Sequence, residues 1–256
     1  MGSKANKVDS APIENFITAE IKVEDASKSI RLFNSYENAN KDYLVTDVIE
    51  YDKFSNEDEI KANIEIKSRG TLAEDSYLYN FPKKGKYKII YSFKKKLTNI
   101  NSMFYSCDSI IKLDLSNFNT ENVTNMSKMF DGCESLTSLN LSNFNTKNVT
   151  DMSLMFSCCK TLKSLDLTNF NTENVTNMES MFYLCKSLTS LNLSSFNFGK
   201  VNNMENMFAY CSSLKKLVVP DLDSFNNKTN NIALFDDVIE LPKIISSNSD
   251  KCCDCF

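Results

Sequence analysis

A Met-Phe pair recurs every 26 residues in this chain, at Met103-Phe104, Met129-Phe130, Met155-Phe156, Met181-Phe182 and Met207-Phe208. The surrounding text recurs with it: VTNMSKMFDGCESLTSLNLSNFNTKN in the second copy, VTDMSLMFSCCKTLKSLDLTNFNTEN in the third. A fixed period of this length means that each copy is an incomplete unit, burying its apolar edge on the copies before and after it. Stacking is therefore the first expectation for residues 97–222.

Two apolar periods alternate within a copy. Leu136, Leu139 and Leu141 form LxxLxL, whose last two leucines share one face of a short strand. Stacked at about 4.8 Å, such strands predict a parallel ladder along the repeats. Phe118, Phe144, Phe170 and Phe196 follow the strands and predict a buried aromatic spine. In the other half, Val123, Met126, Met129, Phe130 and Cys133 stand three and four apart, which predicts a short helix or 3₁₀ segment. Thr124 or Asn125, with Asp151 in the third copy, is its natural N-cap. The fold class expected is an α/β repeat: a short leucine-rich-repeat-like solenoid with a parallel β ladder and short helical segments, preceded by a small β-rich capping module.

The motif SLTSLNLSNFNTKNVTDMSLMFSCC resembles the 26-residue repeat of the BspA-like leucine-rich-repeat surface proteins, over residues 97–222. The resemblance implies surface or cell-associated binding proteins of the adhesion type, with no catalytic residue in the repeat. One departure is visible: Phe stands three residues after the last strand leucine, where the ordinary leucine-rich repeat has Asn, and Asn117 and Asn119 flank it in the first copy.

Outside the repeats the pattern changes. Residues 1–14 are polar and predict a flexible arm; residues 15–96 predict a β-rich module. There, 16–23 alternates as a strand, and 29–36 alternates likewise, suggesting a hairpin with it. Residues 60–68 and 86–94 read as two further strands, and the acidic stretch 47–60 as a loop or short helix. The module's expected role is to cap the open end of the stack. Residues 223–246 predict a C-terminal cap in which Ile232, Leu234, Phe235, Val238, Ile239 and Leu241 cover the last copy, followed by a Cys-rich tail at 247–256.

Composition narrows the function. The chain has no histidine, which removes Ser-His-Asp and Cys-His nucleophile activation and His-containing zinc sites. Five glycines and no GxGxxG or P-loop pattern argue against a phosphate cradle, so the reading is non-enzymatic and without cofactors. A net charge of −4 gives no general pull toward nucleic acid. The first 16 residues carry no apolar signal core, and no run approaches a membrane span; the expected place is the cytoplasm or the cytoplasmic face of a membrane, with the cell surface by a non-standard route as the alternative.

Three sets of residues are candidate sites. Outward strand positions form polar ladders, Asp114, Asn140, Asp166 and Asn192 beside Ser138, Ser164 and Ser190, which could meet a protein partner across the sheet or simply face water. Lys83, Lys84, Lys86, Lys88, Lys94, Lys95 and Lys96 form a basic cluster that could recognise a partner or only solvate a strand. At the termini, Cys253 stands fourth from the end with Cys252 beside it, and Gly2 follows the initiator Met. Prenylation of Cys253, palmitoylation of Cys252 or myristoylation of Gly2 would tie the chain to a membrane as a lipid-anchored adaptor. The repeat cysteines 107, 133, 159, 185 and 211 point one way and read as buried free thiols, Asn119, Asn145, Asn171 and Asn197 as bend-satisfying residues, and the repeated Asn-Val-Thr sequons as incidental.

Overall fold

Alternation decides the first strand. Ile17, Ala19, Ile21 and Val23 are buried on one side of β1 (Phe16–Val23), and Thr18, Glu20 and Lys22 take the other side. The computed structural model describes residues 15–35, 56–68, 70–71, 77–222, 225–226, 234–236, 238 and 241–247. The remaining elements are β2 (Ile30–Arg31), α1 (Glu57–Asn63), β3 (Ile64–Ser68), β4 (Gly70–Thr71), β5 (Leu78–Tyr79), β6 (Gly85–Phe93), β7 (Ile110–Asp114), β8 (Ser138–Asn140), β9 (Ser190–Asn192), β10 (Lys216–Val219) and β11 (Lys243–Ser246). Among the described residues the fold is β-rich and repetitive, with no closed barrel.

The N-terminal strand sits between the module and the repeats. β1 pairs antiparallel with β6 from Phe16↔Ser92 to Val23↔Gly85, and on its other edge antiparallel with β7 of the first copy, Thr18 opposite Asp114. One sheet of order β4-β3-β6-β1-β7-β8 thus contains strands from both segments, and the first repeat edge is covered by hydrogen bonding. Two expectations are corrected here. The segment at 29–36 makes no hairpin with β1; its described strand, β2, pairs with β5 instead. Residues 57–63 form a helix, and only 64–68 are strand. Ile60, Ala62, Ile64 and Ile66 alternate through both elements, but Glu57, Asp58 and Glu59 occupy the first helical turn, where the backbone N–H groups favour acids.

The second half of each repeat is not helical, contrary to the spacing of its apolar residues. Met126, Lys128, Phe130 and Gly132 each donate their N–H to the next copy, to the carbonyls of Asp151, Ser153, Met155 and Ser157 at 2.9–3.0 Å. Between these bonds run tight turns, such as Cys133 N–H to the Phe130 carbonyl at 3.1 Å. Two residues per copy take left-handed φ, four apart: Lys128 (55°) and Gly132 (77°), then Leu154 and Cys158 (both 56°). A run of four-residue turns places side chains in-in-out-out, so its apolar spacing imitates a helix while its N–H groups point outward to a neighbour. The residue expected to cap a helix instead closes a turn: Asn125 Oδ1 accepts from Ser127 N–H (2.9 Å), as does Asp151 Oδ1 from Ser153 N–H (2.9 Å).

The strand side is held less evenly. β7 and β8 pair in parallel, as do β9, β10 and β11, but residues 164–166 of the third copy belong to no strand, so the continuous ladder expected there is interrupted. Side chains take over: Asn169 Nδ2 donates to the carbonyls of Leu141 (2.9 Å) and Phe144 (3.1 Å), and Ser195 Oγ to that of Leu167 (3.0 Å). The expected spine runs at 6.4, 6.2 and 6.4 Å between ring centres from Phe118 to Phe196, the first pair tilted and the next two stacked. A second spine of the Met-Phe phenylalanines, on the turn side, stacks at 6.0, 5.7, 5.6 and 5.7 Å from Phe104 to Phe208. The copies therefore sit closer on the turn side than on the strand side.

Both spines are closed at both ends. Tyr91 and Phe93 of β6 pack on Phe104 and Phe118, at 5.4 and 4.8 Å. At the far end Phe235 stacks on Phe208 (5.3 Å) and Phe225 packs on Phe198 (5.5 Å). The C-terminal segment does more than cover: Phe208 and Tyr210 donate to the carbonyls of Leu234 and Asp236, and β11 extends the strand side in parallel, which makes it a degenerate sixth turn of the stack. Of the residues expected to cap, Leu234 is buried, whereas Leu241 is 72% exposed and covers nothing; Ile232 and Ile239 lie outside the described residues.

Between the two walls a buried threonine bridges copies. Thr146 Oγ1 donates to the Asn171 carbonyl and accepts from the Asn171 N–H, both at 2.8 Å; Thr120 serves Asn145 and Thr172 serves Asn197 in the same way. Thr146→Val should destabilise the fold by about 2 kcal/mol in urea unfolding, because it strands a buried donor and acceptor, while Thr146→Ser, which keeps the hydroxyl, should avoid most of that loss. A second expectation concerns Asp131, a buried carboxyl on the turn wall whose pKa desolvation raises to about 6 against the hydroxyl of Ser157 and the charge of Lys128. Because the folded state holds this proton more tightly than the unfolded chain, stability should fall as pH rises from about 4 to about 6, by up to about 3 kcal/mol, then level off. Thermal melts across that range should lose this slope in Asp131→Asn.

Candidate interaction face across the sheet

The pairing of β1 with β7 carries the polar strand ladder into the N-terminal module. Across the sheet, Lys88, Glu20, Lys112 and Ser138 form one row on β6, β1, β7 and β8. Ile90, Thr18, Asp114 and Asn140 form the next. These residues point away from the core because their strand neighbours, Ile89, Ala19 and Leu113, point into it. All of them except Ile90 line a shallow groove of about 460 Å³. Glu20 sits at its centre, 3.0 Å from Lys86 and 3.6 Å from Lys112, and the hydrogen bond from Lys86 holds its carboxyl below the usual carboxylate range.

The sequence-derived ladder divides into three. Asp114, Ser138 and Asn140 come together in this groove, where Asn140 Nδ2 donates to Asp114 Oδ1 at 3.0 Å. Ser164 and Asp166 are exposed on the unpaired stretch, and Ser190 and Asn192 are exposed on β9 in the separate sheet. The four acidic or amide residues share a further task. Asp114, Asn140, Asp166 and Asn192 each accept, through Oδ1, the N–H two residues later, at Ser116, Ser142, Thr168 and Ser194, at 3.0–3.1 Å. They close the turn that ends each strand position, so one oxygen of each is occupied by the backbone. The Thr168 hydroxyl holds Asp166 below its ordinary pKa.

The lysine cluster does not act as one patch. Lys83, Lys84, Lys86 and Lys88 line a second groove of about 540 Å³ beside the first, with Glu20, Ser68 and Tyr87. Lys94 and Lys95 are exposed at the opposite end of β6, and Lys96 pairs with Glu121 at 2.6 Å. Gly2, Cys252 and Cys253 lie outside the described residues. No helix among the described residues is long and apolar enough to cross a membrane.

The cysteine column is structural. Cys133, Cys159, Cys185 and Cys211 donate their thiols to the carbonyls of Phe104, Phe130, Phe156 and Phe182 in the preceding copy, at 3.0–3.3 Å. Burial pushes these thiols well up, Cys211 to about 12, so none is a thiolate at neutral pH. Cys158 is half-buried. The sequon residues also have work between copies: Asn148 Nδ2 donates to the Glu121 carbonyl (2.9 Å), and Thr150 Oγ1 to that of Thr124 (3.3 Å). Asn119, Asn145, Asn171 and Asn197 satisfy backbone N–H groups at the bend, as expected.

Sequence reasoning missed Thr18, Glu20 and Lys88 as neighbours of the ladder. Their outward phase was readable in the alternation of residues 16–23 and 86–94, but their partner strand lies about ninety residues on from β1. A family model described as "Mycoplasma protein of unknown function, DUF285" matches residues 95–234, which takes in all five copies and the start of the sixth turn. No curated protein and no solved structure matches the chain. The double duty of the ladder gives an expected outcome: Asp166→Ala should lower stability by about 1 kcal/mol in urea unfolding, whereas Asp166→Asn, which keeps the accepting oxygen, should be near neutral.

Proposed function

This chain belongs to the DUF285 family, and from that premise we propose that it is a non-enzymatic binding protein of the BspA-like kind, a short leucine-rich-repeat-type solenoid that captures a protein partner on its sheet face. The observation that carries this reading is the groove on β6, β1, β7 and β8. There Lys88, Lys112, Glu20 and Asp114 present both signs of charge on adjacent strands, with Lys112 at 3.6 Å from Glu20. Alternating charge on an exposed face suits recognition of a complementary protein surface, since it selects partner and register more than it adds affinity. It suits nucleic acid poorly, which calls for a uniformly basic stripe. Many of the repeat's polar residues close turns within a copy or bond between copies, which leaves the groove as the better-equipped site. A surface location of the adhesion type follows from the same resemblance.

The test is capture from an extract of the native cell by the immobilised chain, with the retained proteins identified by mass spectrometry. Lys88→Glu with Lys112→Glu should reduce retention of the principal partner by about tenfold, with unfolding still cooperative. Lys147→Glu, an exposed charge away from the groove, should not reduce it. Equal retention by all three would remove the sheet face as the binding site.

A further inference from the structure

The turn wall varies in places where neither its backbone nor its core asks for the residue present. The left-handed position four residues into each turn run is filled by Ser106 and Gly132 in the first two copies. In the last three it is filled by Cys158, Leu184 and Tyr210, with φ of 56°, 58° and 60°. Glycine is the inexpensive residue there, and leucine or tyrosine is unfavourable. Burial compensates only in part: Cys158, Leu184 and Tyr210 remain partly exposed, as do Leu154 and Tyr183 beside them, and the Tyr183 and Tyr210 rings meet edge to face at 5.3 Å. Bulky apolar groups in an unfavourable conformation on an open wall point to a surface that is covered in use.

The charge at its edges says by what. Toward the start of the turn run the patch is bordered by Glu179 and Glu205, where earlier copies have Asn101, Ser127 and Ser153. Toward the end of the run it is bordered by Lys186, and by Lys160, which pairs with Glu134 of the preceding copy, where earlier copies have Asp108 and Glu134 and the last has Ser212. A wall with an acidic edge, an apolar centre and a basic edge is complementary to itself when turned about an axis parallel to the stack, because the acidic edge of one copy then faces the basic edge of the other. An axis across the stack would set acid on acid.

We infer that the turn wall of the last three copies is the interface of a parallel homodimer. Leu184 and Tyr210 lie at its centre, and Glu179 of each copy faces Lys186 of the other. The pairing leaves the groove on the sheet wall open, so a dimer presents that face twice and gains avidity toward a partner that is itself repeated.

Analytical ultracentrifugation of the full chain tests this. The mass should rise from one chain toward two between about 1 and about 100 µM at low salt. Leu184→Gly with Tyr210→Asn should hold it at one chain across that range while the melting temperature stays level or rises, since both replacements suit the left-handed backbone. Glu179→Lys should weaken the dimer at least tenfold, and adding Lys186→Glu should restore it. A chain that stays monomeric at about 100 µM overturns the inference. So does a dimer that survives the double replacement, or a charge reversal that its counterpart does not rescue.

Discussion

The bond between the N–H of one repeat and the carbonyl of the next, made four times per junction along the turn wall, is what the rest of this molecule depends on. At the junction of the second and third copies it joins Met126, Lys128, Phe130 and Gly132 to Asp151, Ser153, Met155 and Ser157. A helix would satisfy those donors within its own segment and leave the copies joined only by side-chain packing. By giving them to the neighbour, the chain makes each copy hydrogen-bonded only in company, and a copy at either end carries unmet groups. The requirement has a backbone consequence: two residues per copy adopt left-handed φ, mostly without glycine to ease it.

The ends of the chain make sense as answers to that requirement. β1 closes the strand side by pairing with β7. Tyr91 and Phe93 begin the two aromatic spines. Asn15, whose Oδ1 accepts from Asn119 N–H at 2.9 Å, stands in for the bridging threonine that the first copy has no predecessor to supply. At the other end Phe198 replaces that threonine and packs on Phe225, while Leu234, Asp236 and β11 supply the last acceptors. Departures from the repeat consensus thus cluster where a neighbour is missing or altered, which separates them from the unexplained apolar substitutions on the turn wall.

Little of the repeat is free for chemistry. Its asparagines close turns, its threonines bridge copies, and its cysteines donate to carbonyls behind them. Positions that differ between copies, and surfaces assembled from more than one segment, are where recognition can reside. The groove over Thr18, Glu20, Lys112 and Asn140 is of the second kind, and the wall at Leu184 and Tyr210 is of the first.

The sequence alone determined the repeat length, the identity of the buried face, the Phe118–Phe196 spine and the structural role of the cysteines and bend asparagines, because a 26-residue period repeats each residue's environment. It determined β1 and β6 as well, since strict alternation has one physical reading when one face is buried. It could not separate a helix from a run of four-residue turns at Met126–Cys133, because both place apolar side chains three and four apart and differ only in where the N–H groups point. Nor could it show that β1 lies between β6 and β7, or that residues 164–166 leave the ladder. Those are matters of hydrogen bonding between segments distant in sequence, and only the tertiary structure, by bringing donor and acceptor together, decided them.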